Sequence, residues 1–571
     1  MQKTIRVKII AGLFAAMFVP SLFQTGCTTS KLSINSDAEF KNGMVVSASH
    51  YASDVGLAIL KNGGNAVDAA VAVQFALAVV YPNAGNIGGG GFMVYRSASG
   101  ESNTLDYREK GASKASRDMY LDSAGNAIVE KSLFGSLAAG VPGSVAGMVE
   151  AHQKYGKLKW AELVAPAVLL AKNGFKISER QANELNGIQT RLKTLNPLGT
   201  AFIKEKWTTG DLLLQPELAF TMEQIRDHGR AGFYEGPVAD AIVAQMNRDH
   251  GIISKADLKN YQAVWRKAIT GKYKDLNVIT MPPPSSGGIA LIQLLKSVEA
   301  HPLKRWGFNA DSTVQLMVEA ERRVYADRAS HLGDPDFYKV PANALMSDAY
   351  VKKRMADFNW SSATPSSAVS AGVISPAEHE ETTHFSIVDR EGNAVSITTT
   401  LNGSYGAQVV VKGAGFFLNN EMDDFSVKPG SPNMYGLVGG EANAIAPNKR
   451  MLSSMTPTIL EKNGDLYMVV GTPGGSTIIT SVFQTILNVV EFDKSMQAAV
   501  DAKKFHHQWL PDEVGYEANA IDSAALNKLK SKGYNMKSRG AIGRVDAILK
   551  TKRGYYQAGA DPRGDDKAAA W

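Results

Sequence analysis

Two runs of alternating apolar and polar residues constrain the fold of this chain more than any other segment. The runs are 382–388 (TTHFSIV) and 394–402 (AVSITTTLN), and the residues between them (DREGN) have the composition of a turn. A hairpin centred on Glu391 places Thr400 opposite Thr382, and directly opposed residues share one face of a sheet. Because a shift of one residue would move Thr400 to the other face, the register is a sharp prediction.

The two faces of this predicted hairpin differ in polarity. Thr382 and Thr400 lie on one face, and Asn402 follows just past Thr400 on the same side. We expect the opposite, apolar face to pack on a core; it carries Phe385, Ile387, Val395, Ile397 and Leu401. Two threonine hydroxyls are therefore predicted to meet at the open end of the hairpin.

Thr382 would be a competent nucleophile if the chain were cut immediately before it. Cleavage between Glu381 and Thr382 would free an α-amine beside the threonine hydroxyl. That amine, whose usual pKa is about 8, would act as the general base that a hydroxyl lacks. A pair of threonines at the start of a strand also has an ordinary structural explanation, so the interpretation depends on the rest of the chain.

A strand, a tight glycine turn and a helix are predicted further along the chain. Residues 466–470 (LYMVV) have the pattern of a buried strand, and residues 477–490 carry Ile, Leu and Val at helical spacing. Gly474 and Gly475 lie in the turn between them, where free backbone N–H groups and the positive end of the helix dipole meet. Such a site stabilises a tetrahedral oxyanion, and one donor typically lowers the barrier by about 3 kcal/mol. The alternative is a plain glycine turn capped by Ser476.

Short segments distributed over nearly the whole chain carry a resemblance to one enzyme family. In chain order they are GNAVDAAVA (64–72), GNIGGGGFM (85–93), DYREKGA (106–112), PPPSSGG (282–288), YADRASHLGDPDF (325–337), TTHFSIVD (382–389), NNEMDDFS (419–426), MYGLVGG (434–440), NKRMLSSMTPTI (448–459), GTPGGS (471–476), FHHQWLPDE (505–513) and GADPR (559–563). Several are weak individually, but together and in this order they are specific. On these segments the chain resembles the γ-glutamyltranspeptidases of the N-terminal-nucleophile hydrolase superfamily.

The resemblance implies an α+β fold, the four-layer αββα sandwich of N-terminal-nucleophile hydrolases, whereas periodicity alone predicts only a mixture of helices and strands. It also implies a self-cleaving γ-glutamyltransferase and glutathione hydrolase that needs no cofactor and no metal. Residues 28–381 and 382–571 would be its large and small fragments, which stay together as one catalytic unit. Thr382 would carry the γ-glutamyl group of glutathione or a related compound as an ester and pass it to water, amino acids or peptides.

The resemblance also implies roles for individual residues. Thr382 matches the nucleophile, and Thr400 matches the threonine that orients it. Gly474 and Gly475 match the pair whose N–H groups form the oxyanion hole. The glutamyl end of the substrate carries an ammonium and a carboxylate, and both have matching residues. The ammonium-binding set is Asn402, Glu421 and Asp424, the carboxylate-binding set is Arg108, Ser453 and Ser454, and Tyr435 lies in the segment that resembles the family's lid loop.

The chemistry of these residue types agrees with such a substrate. The planar guanidinium of arginine binds a carboxylate in a bidentate way, so Arg108 is a suitable anchor. Without the constellation each feature has a simpler explanation. Arg108 would form a surface ion pair, residues 421–424 a solvated turn, and Ser453-Ser454 a loop or helix cap. Only their combination favours a binding site.

Two other functions remain open at the level of sequence. A cephalosporin (glutaryl) acylase shares the fold and the nucleophile, but it would lack the ammonium anchors and the lid, whereas Asp424 and Tyr435 are present. A non-catalytic periplasmic binding lipoprotein would retain an amino acid pocket. Binding alone would not require Thr382, Thr400 and the glycine pair.

The N-terminus has the composition of an export signal, which we place at residues 1–27. Basic residues within the first eight positions are followed by an apolar stretch at 9–23, which is short for a membrane span. The sole cysteine, Cys27, comes directly afterwards as in bacterial lipoprotein signals, although Gln24 departs from the aliphatic residue usual there. The sequence leaves open lipidation of Cys27, which would anchor the protein to a membrane, and simple cleavage with release into the periplasm.

The sequence gives no support for a nucleotide, a metal ion or a nucleic acid as a ligand. Residues 88–91 (GGGG) lack the Lys-Ser/Thr of a phosphate loop and an acidic residue at dinucleotide spacing, so we expect backbone packed closely against the site. The pair His506-His507 has no further metal ligand at suitable spacing and is predicted to be structural. The net charge of +6 is small for 571 residues and is not clustered, which argues against a nucleic acid partner.

Overall fold

The computed structural model describes residues 38–370, 382–428 and 440–571. In chain order the strands are β1 (Glu39–Phe40), β2 (Met44–Ser47), β3 (Gly90–Arg96), β4 (Ser102–Asp106), β5 (Phe175–Lys176), β6 (Leu212–Leu213), β7 (Val264–Arg266), β8 (Ile269–Tyr273), β9 (Leu276–Thr280), β10 (Thr383–Val388), β11 (Ala394–Thr400), β12 (Thr458–Lys462), β13 (Asp465–Gly471), β14 (Phe505–His506), β15 (Val514–Glu517), β16 (Met536–Arg539), β17 (Asp546–Lys550), β18 (Tyr556–Ala560) and β19 (Lys567–Ala570).

The α-helices of the same residues are α1 (His50–Lys61), α2 (Ala66–Val80), α3 (Val129–Leu133), α4 (Ser144–Tyr155), α5 (Trp160–Asn173), α6 (Glu179–Leu195), α7 (Pro216–His228), α8 (Ala231–Tyr234), α9 (Gly236–Arg248), α10 (Lys255–Asn260), α11 (Gly287–Glu299), α12 (Leu303–Trp306), α13 (Asp311–His331), α14 (Ala342–Leu345), α15 (Asp348–Arg354), α16 (Thr477–Val490), α17 (Met496–Asp501) and α18 (Ser523–Ser531). None of the helices in these described ranges combines the length and the apolar composition that crossing a membrane requires.

Most strands belong to two antiparallel sheets of seven strands each. In the first, which we call the nucleophile sheet, the order is β19-β2-β10-β11-β3-β4-β7. In the second, the glycine-turn sheet, the order is β1-β18-β17-β13-β12-β9-β8. Both sheets combine strands that precede Thr382 with strands that follow it, so each sheet needs both parts of the chain.

The two sheets pack face to face, and helices cover both outer faces. Between the sheets, Phe92 and Val94 of β3 share a buried apolar cluster with Ile459 of β12 and Val469 of β13. Helices α1, α2 and α4 pack on the nucleophile sheet, while α11, α16 and α17 pack on the glycine-turn sheet. The layers are therefore helix, sheet, sheet, helix, which confirms the expected four-layer αββα sandwich.

Strands β10 and β11 form the predicted hairpin. Thr383 pairs with Thr399, and one further step along this ladder places Thr382 opposite Thr400. The register predicted from the alternation is therefore confirmed. The apolar face of the hairpin belongs to the same buried cluster as α2, as expected.

The polar face of the hairpin is turned toward the glycine-turn sheet. Ser386 Oγ donates to the backbone oxygen of Asp546 at 3.0 Å, and Ser396 Oγ donates to that of Val470 at 3.2 Å. His384 is fully buried between the sheets, and burial lowers its pKa to about 3, so the ring is neutral. The layer between the sheets thus combines an apolar cluster with polar contacts around the hairpin and a buried ion pair between Arg96 of β3 and Glu461 of β12, features that the alternation did not reveal.

Candidate active site

Thr382 and Thr400 lie at the adjacent ends of the hairpin, and both are almost completely buried. Asn402 follows with a φ of 72°, in the left-handed region that asparagine tolerates. Its backbone N–H donates to Thr400 Oγ1 at 2.7 Å, and its side-chain amide donates to the backbone oxygen of Asn420 at 3.0 Å. The turn after β11 therefore fixes the Thr400 hydroxyl and ties it to the loop that precedes residues 421–424.

The predicted strand, glycine turn and helix are present as β13, the turn and α16. Gly474 and Gly475 have φ values of 139° and 52°, where a side chain would strain the backbone, so glycine is required. The carbonyl oxygens of this turn accept bonds from the start of α16. The N–H groups of the two glycines donate to no other residue of the described chain. Thr382 and Gly474 line the same cleft, so the glycine turn adjoins the threonine.

The glycine stretch at 88–91 packs against the strand that carries Thr400. A Cβ atom on Gly89 would lie 2.0 Å from the backbone oxygen of Thr400, and one on Gly91 would lie 2.5 Å from that of Thr398. Neither position has room for a side chain. The prediction of backbone packed closely against the site is confirmed.

Arg108 lies directly after β4, is fully buried and contacts three carboxyl groups. It forms ion pairs with Glu421 and Asp424 and a longer contact of 3.4 Å with Glu109. We call these four residues the head-group cluster. Burial raises the pKa of each carboxyl, that of Glu109 to about 7, while the charge of Arg108 opposes the rise. Arg108 thus faces three carboxyl groups, and the charge of Arg328 in α13 adds to its effect on Asp424.

Ser453 and Ser454 are buried next to the same arginine. The backbone oxygen of Leu452 accepts from Arg108 Nη2 at 3.2 Å, and the backbone N–H of Ser453 donates to the oxygen of Pro284 at 3.0 Å. The structure therefore brings together the acidic and basic anchors that the sequence placed in separate sets. Acidic, cationic and hydroxyl groups side by side are suited to bind an ammonium and a carboxylate on one carbon.

Comparison with known proteins agrees with this geometry. Residues 52–571 match the family model described as Gamma-glutamyltranspeptidase. The chain belongs to the γ-glutamyltranspeptidase family. It is 45% identical over 533 residues to a glutathione hydrolase proenzyme of Escherichia coli (strain K12), across 93% of this chain and 92% of that protein. A glutathione hydrolase proenzyme of Pseudomonas aeruginosa is 46% identical over 554 residues, across 95% of this chain and 98% of that protein.

Solved structures support the same fold for this γ-glutamyltranspeptidase family member. A cephalosporin acylase from Bacillus halodurans superposes with a TM-score of 0.84 at 25% identity, over 97% of this chain and 99% of that chain. The γ-glutamyltranspeptidase of Helicobacter pylori gives a TM-score of 0.56 at 45% identity, over 57% of this chain and 94% of that chain. The N-terminal-nucleophile hydrolase fold and the enzyme class are confirmed. The higher identity to the transpeptidase relatives favours that activity over the acylase alternative.

Arg328 is a buried residue beside the candidate site that the sequence did not single out. It lies in α13, is 4% exposed, and donates to Ser454 Oγ and to Ser286 Oγ, both at 2.8 Å. Arginine has no acceptor atom, so each hydroxyl must accept here and direct its own proton elsewhere. Ser286 gives that proton to the backbone oxygen of Ser453 at 2.7 Å. The only sequence signal for Arg328 was its position in the segment 325–337, which carried no assigned role.

The histidine pair is held by hydrogen bonds within the core. His506 Nδ1 lies 2.8 Å from Thr480 Oγ1, and its Nε2 lies 2.7 Å from Gln508 Oε1. His507 Nδ1 accepts from the backbone N–H of Trp509 at 3.0 Å. Burial lowers the pKa of His506 to about 3 and that of His507 to about 4, so both rings are neutral. These contacts agree with the structural role expected for the pair.

Three residues of the predicted pattern lie outside the described residues. They are Glu381 at the cleavage site, Tyr435 in the lid segment and Cys27 at the candidate lipid site. Their roles stay predictions.

Proposed function

We propose that this chain is a proenzyme that cuts itself between Glu381 and Thr382 and then moves γ-glutamyl groups from glutathione and related amides to water, amino acids or peptides. The observation that carries the proposal is that Thr382 and Gly474 line one cleft, which supports a threonine hydroxyl acting next to the glycine turn. The relatives named glutathione hydrolase proenzyme support both the substrate and the proenzyme character.

Maturation would begin with attack of Thr382 Oγ on the carbonyl carbon of Glu381. The peptide nitrogen leaves as the α-amine of Thr382, and water then hydrolyses the ester that joins the two residues. The fragments 28–381 and 382–571 would stay associated, since both sheets contain strands from each of them. The mature enzyme is then a heterodimer with Thr382 at the start of its small fragment.

Acyl transfer uses the new amine as the base. The Thr382 α-amine accepts the hydroxyl proton as Oγ attacks the γ-carbonyl carbon of the donor. The N–H groups of Gly474 and Gly475 donate to the oxyanion, and collapse of the intermediate expels the amine of the donor, which takes the proton. Water or an acceptor amine then attacks the γ-glutamyl ester and frees Thr382. Thr400 holds the nucleophile in place from the adjacent strand.

Binding of the donor would exchange partners within the head-group cluster. The donor ammonium binds Asn402, Glu421 and Asp424, while its α-carboxylate binds Arg108, Ser453 and Ser454. Because Arg108 contacts both acids, the donor would insert its two charges between groups that are already paired. Each buried charge keeps an opposite partner during the exchange, which limits the desolvation cost of binding.

The N-terminal segment 1–27 would direct the chain to the periplasm, with Cys27 either lipidated, as a membrane anchor, or removed with the signal. The basic start and the apolar stretch of this segment support export. Mass spectrometry of the purified protein distinguishes the two, because lipidation adds acyl mass to a chain that begins at Cys27.

The test of the whole proposal is a set of variants at the hairpin, each expressed alone in a clean host. Thr382→Ala should remain one chain on a denaturing gel and should not hydrolyse a chromogenic γ-glutamyl anilide. Thr382→Ser should cleave slowly and retain some activity, because it keeps a hydroxyl beside the amine.

Thr383→Val is the matched control. The Thr383 hydroxyl is buried without a hydrogen-bond partner in the described part of the chain, so its removal should leave cleavage and activity in place. If Thr382→Ala still matures into two fragments, the autocatalytic mechanism is wrong.

A further inference from the structure

Ser476 stands at the N-cap position of α16, directly after the glycine pair, but its side chain does not cap the helix. A serine at this position normally accepts a bond from a backbone N–H of the first helical turn. In the described chain the Ser476 hydroxyl makes no such bond, and its backbone is already helical, with a φ of −60° and a ψ of −34°. The described structure thus does not contain the capped turn that the sequence left open as an alternative.

The Ser476 hydroxyl instead donates to a glutamine from a distant loop. Ser476 Oγ lies 2.7 Å from Gln508 Oε1, and both side chains are buried. His506 Nε2 lies 2.7 Å from the same oxygen, and Thr480 Oγ1 of α16 lies 2.8 Å from His506 Nδ1. An amide oxygen can only accept, so His506 Nε2 is the donor and Nδ1 of the neutral ring accepts from Thr480. These four buried side chains form one continuous set of hydrogen bonds, which we call the turn network.

The backbone of Ser476 is held by α13, a helix that precedes Thr382 in the chain. The Tyr325 hydroxyl donates to the backbone oxygen of Ser476, and both residues are buried. Glu321 lies one turn earlier on α13, and its Oε2 accepts from the backbone N–H of His507 at 2.8 Å. One face of α13 therefore contacts both the residue after the glycine pair and the segment that carries Gln508.

These contacts restrain a turn that cannot restrain itself. Gly474 and Gly475 have positive φ values and no side chains, so their conformation depends on the residues around them. An oxyanion donor lowers the barrier only if its N–H points at the position where the charge develops. Ser476 is the first residue after the pair with a side chain, and it is held at both Oγ and the backbone oxygen. The turn network thus acts on the pair from its C-terminal side.

We propose that Gln508 is a positioning residue for the oxyanion donors, because its bond to Ser476 holds the two glycine N–H groups in the direction that the transition state requires. The inference rests on the proposed function and gives the segment 505–513 a part in it. Of the described residues, Gln508 is not among those that line the cleft beside Thr382, so it acts through the turn and not on the donor. Its loss should raise the barrier of the reaction and leave ground-state binding unchanged.

The test compares Ser476→Ala and Gln508→Met with the unmodified enzyme. Methionine has the length of glutamine but gives the Ser476 hydroxyl only a weak acceptor. With a chromogenic γ-glutamyl anilide, kcat should fall about 10–100-fold in each variant, up to the loss of a whole oxyanion donor, while KM should change less than about twofold. The double variant should lose much less than the product of the two single losses, because both substitutions remove the same bond.

A second readout separates positioning from a general loss of structure. A γ-boronic acid analogue of glutamate binds as a tetrahedral anion: a B–O bond forms with Thr382 Oγ, and the hydroxyl proton passes to the Thr382 α-amine. Its inhibition constant should rise together with the fall in kcat, since a boron-bound oxygen takes the place of the oxyanion. The inhibition constant of L-glutamate, which binds without a tetrahedral centre, should stay within about twofold of the parent value.

Gln189→Met is the matched control. Gln189 is 8% exposed, as is Gln508, and its amide donates to the backbone oxygens of Leu185 and Phe202 at 3.1 and 2.9 Å. These partners lie outside the glycine turn and the segment 505–513. Loss of a buried amide alone should therefore lower the Tm of this variant and leave kcat and both inhibition constants at the parent values.

The inference is overturned if kcat stays at the parent value, if KM and the inhibition constant of glutamate rise as much as kcat falls, or if Gln189→Met loses as much kcat as Gln508→Met. Fully multiplicative losses in the double variant would also overturn it, as would a variant that folds like the parent but does not mature. If Gln508→Met does not fold, Ser476→Ala decides, because it removes only a hydroxyl. Failure of the proposed function would look different, since the unmodified enzyme would then release no chromophore from the anilide.

Discussion

Replacing Arg108 with glutamine removes the guanidinium that contacts the three acids of the head-group cluster. Two consequences follow. Donor binding should weaken by about 1.5–3 kcal/mol for each charge-assisted bond lost, seen as a higher KM. The protein itself should also be destabilised, because Arg108 is fully buried and its removal takes away the cation that Glu421 and Glu109 contact, while Asp424 keeps only the charge of Arg328. Removing one partner of a buried ion pair typically costs about 3–5 kcal/mol.

The destabilisation should depend on pH, and its sign follows from the acids. Burial raises the pKa of all three in the folded protein, and loss of Arg108 would raise them further. An acid whose folded pKa is raised contributes full stability below its unfolded pKa, and the contribution is lost as the pH rises through the folded value. The difference between parent and variant should therefore be small near pH 4.5 and should widen above pH 7.

The measurement is thermal or urea unfolding of Arg108→Gln and Arg108→Lys in a Thr382→Ala background, which keeps one chain. Arg108→Lys retains the charge and should lose less stability. Arg117→Gln is the control, since Arg117 forms an exposed pair with Glu441 that contributes at most about 1 kcal/mol. A difference between Arg108→Gln and the parent that is absent at pH 8, or constant with pH, would refute the described cluster.

Two further predictions concern the same subsite. Asp424→Asn should reduce turnover of γ-glutamyl donors by roughly 10–100-fold, whereas glutaryl donors, which lack the α-amine, should lose far less; equal losses would assign Asp424 to structure alone. Ser454→Ala and Arg328→Gln should each raise the KM for donors, and the loss in the double variant should be less than the sum, because one hydrogen bond of Arg328 is to the Ser454 hydroxyl. Additive losses in this double-mutant cycle would show that the two residues act independently.

The features that the sequence predicted correctly are those that local pattern determines. Apolar residues at every second position predicted the register of β10 and β11. Around Gly474, the spacing of apolar residues changes from that of a strand to that of a helix, and the glycines between them indicate a turn. Each of these structures is determined by residues that are close together in the sequence, where the repeat of the strand or helix decides which side chains share a face.

The contacts that escaped prediction join distant parts of the chain. Arg108 and Glu421 are separated by 313 positions, and Arg328 and Ser454 by 126. The family resemblance placed Arg108 and Glu421 in separate anchor sets, and neither set implied that the two would form an ion pair. Arg328 lies on a helix whose buried residues extend around its whole surface, so periodicity gave no reason to select one arginine.

The two halves of the proposed catalytic site belong to different sheets, which gives the polar layer between the sheets a physical reason. Thr382 opens a strand of the nucleophile sheet, whereas Gly474 follows a strand of the glycine-turn sheet. Apolar packing alone would let the sheets slide at little cost, because hydrophobic contact has no direction. Hydrogen bonds from Ser386 and Ser396 to backbone oxygens of the opposite sheet do have direction, and they lie within the hairpin that Thr382 opens. The buried hydroxyls therefore fix the proposed nucleophile, Thr382, relative to the proposed oxyanion donors of the glycine turn, which an apolar layer could not do.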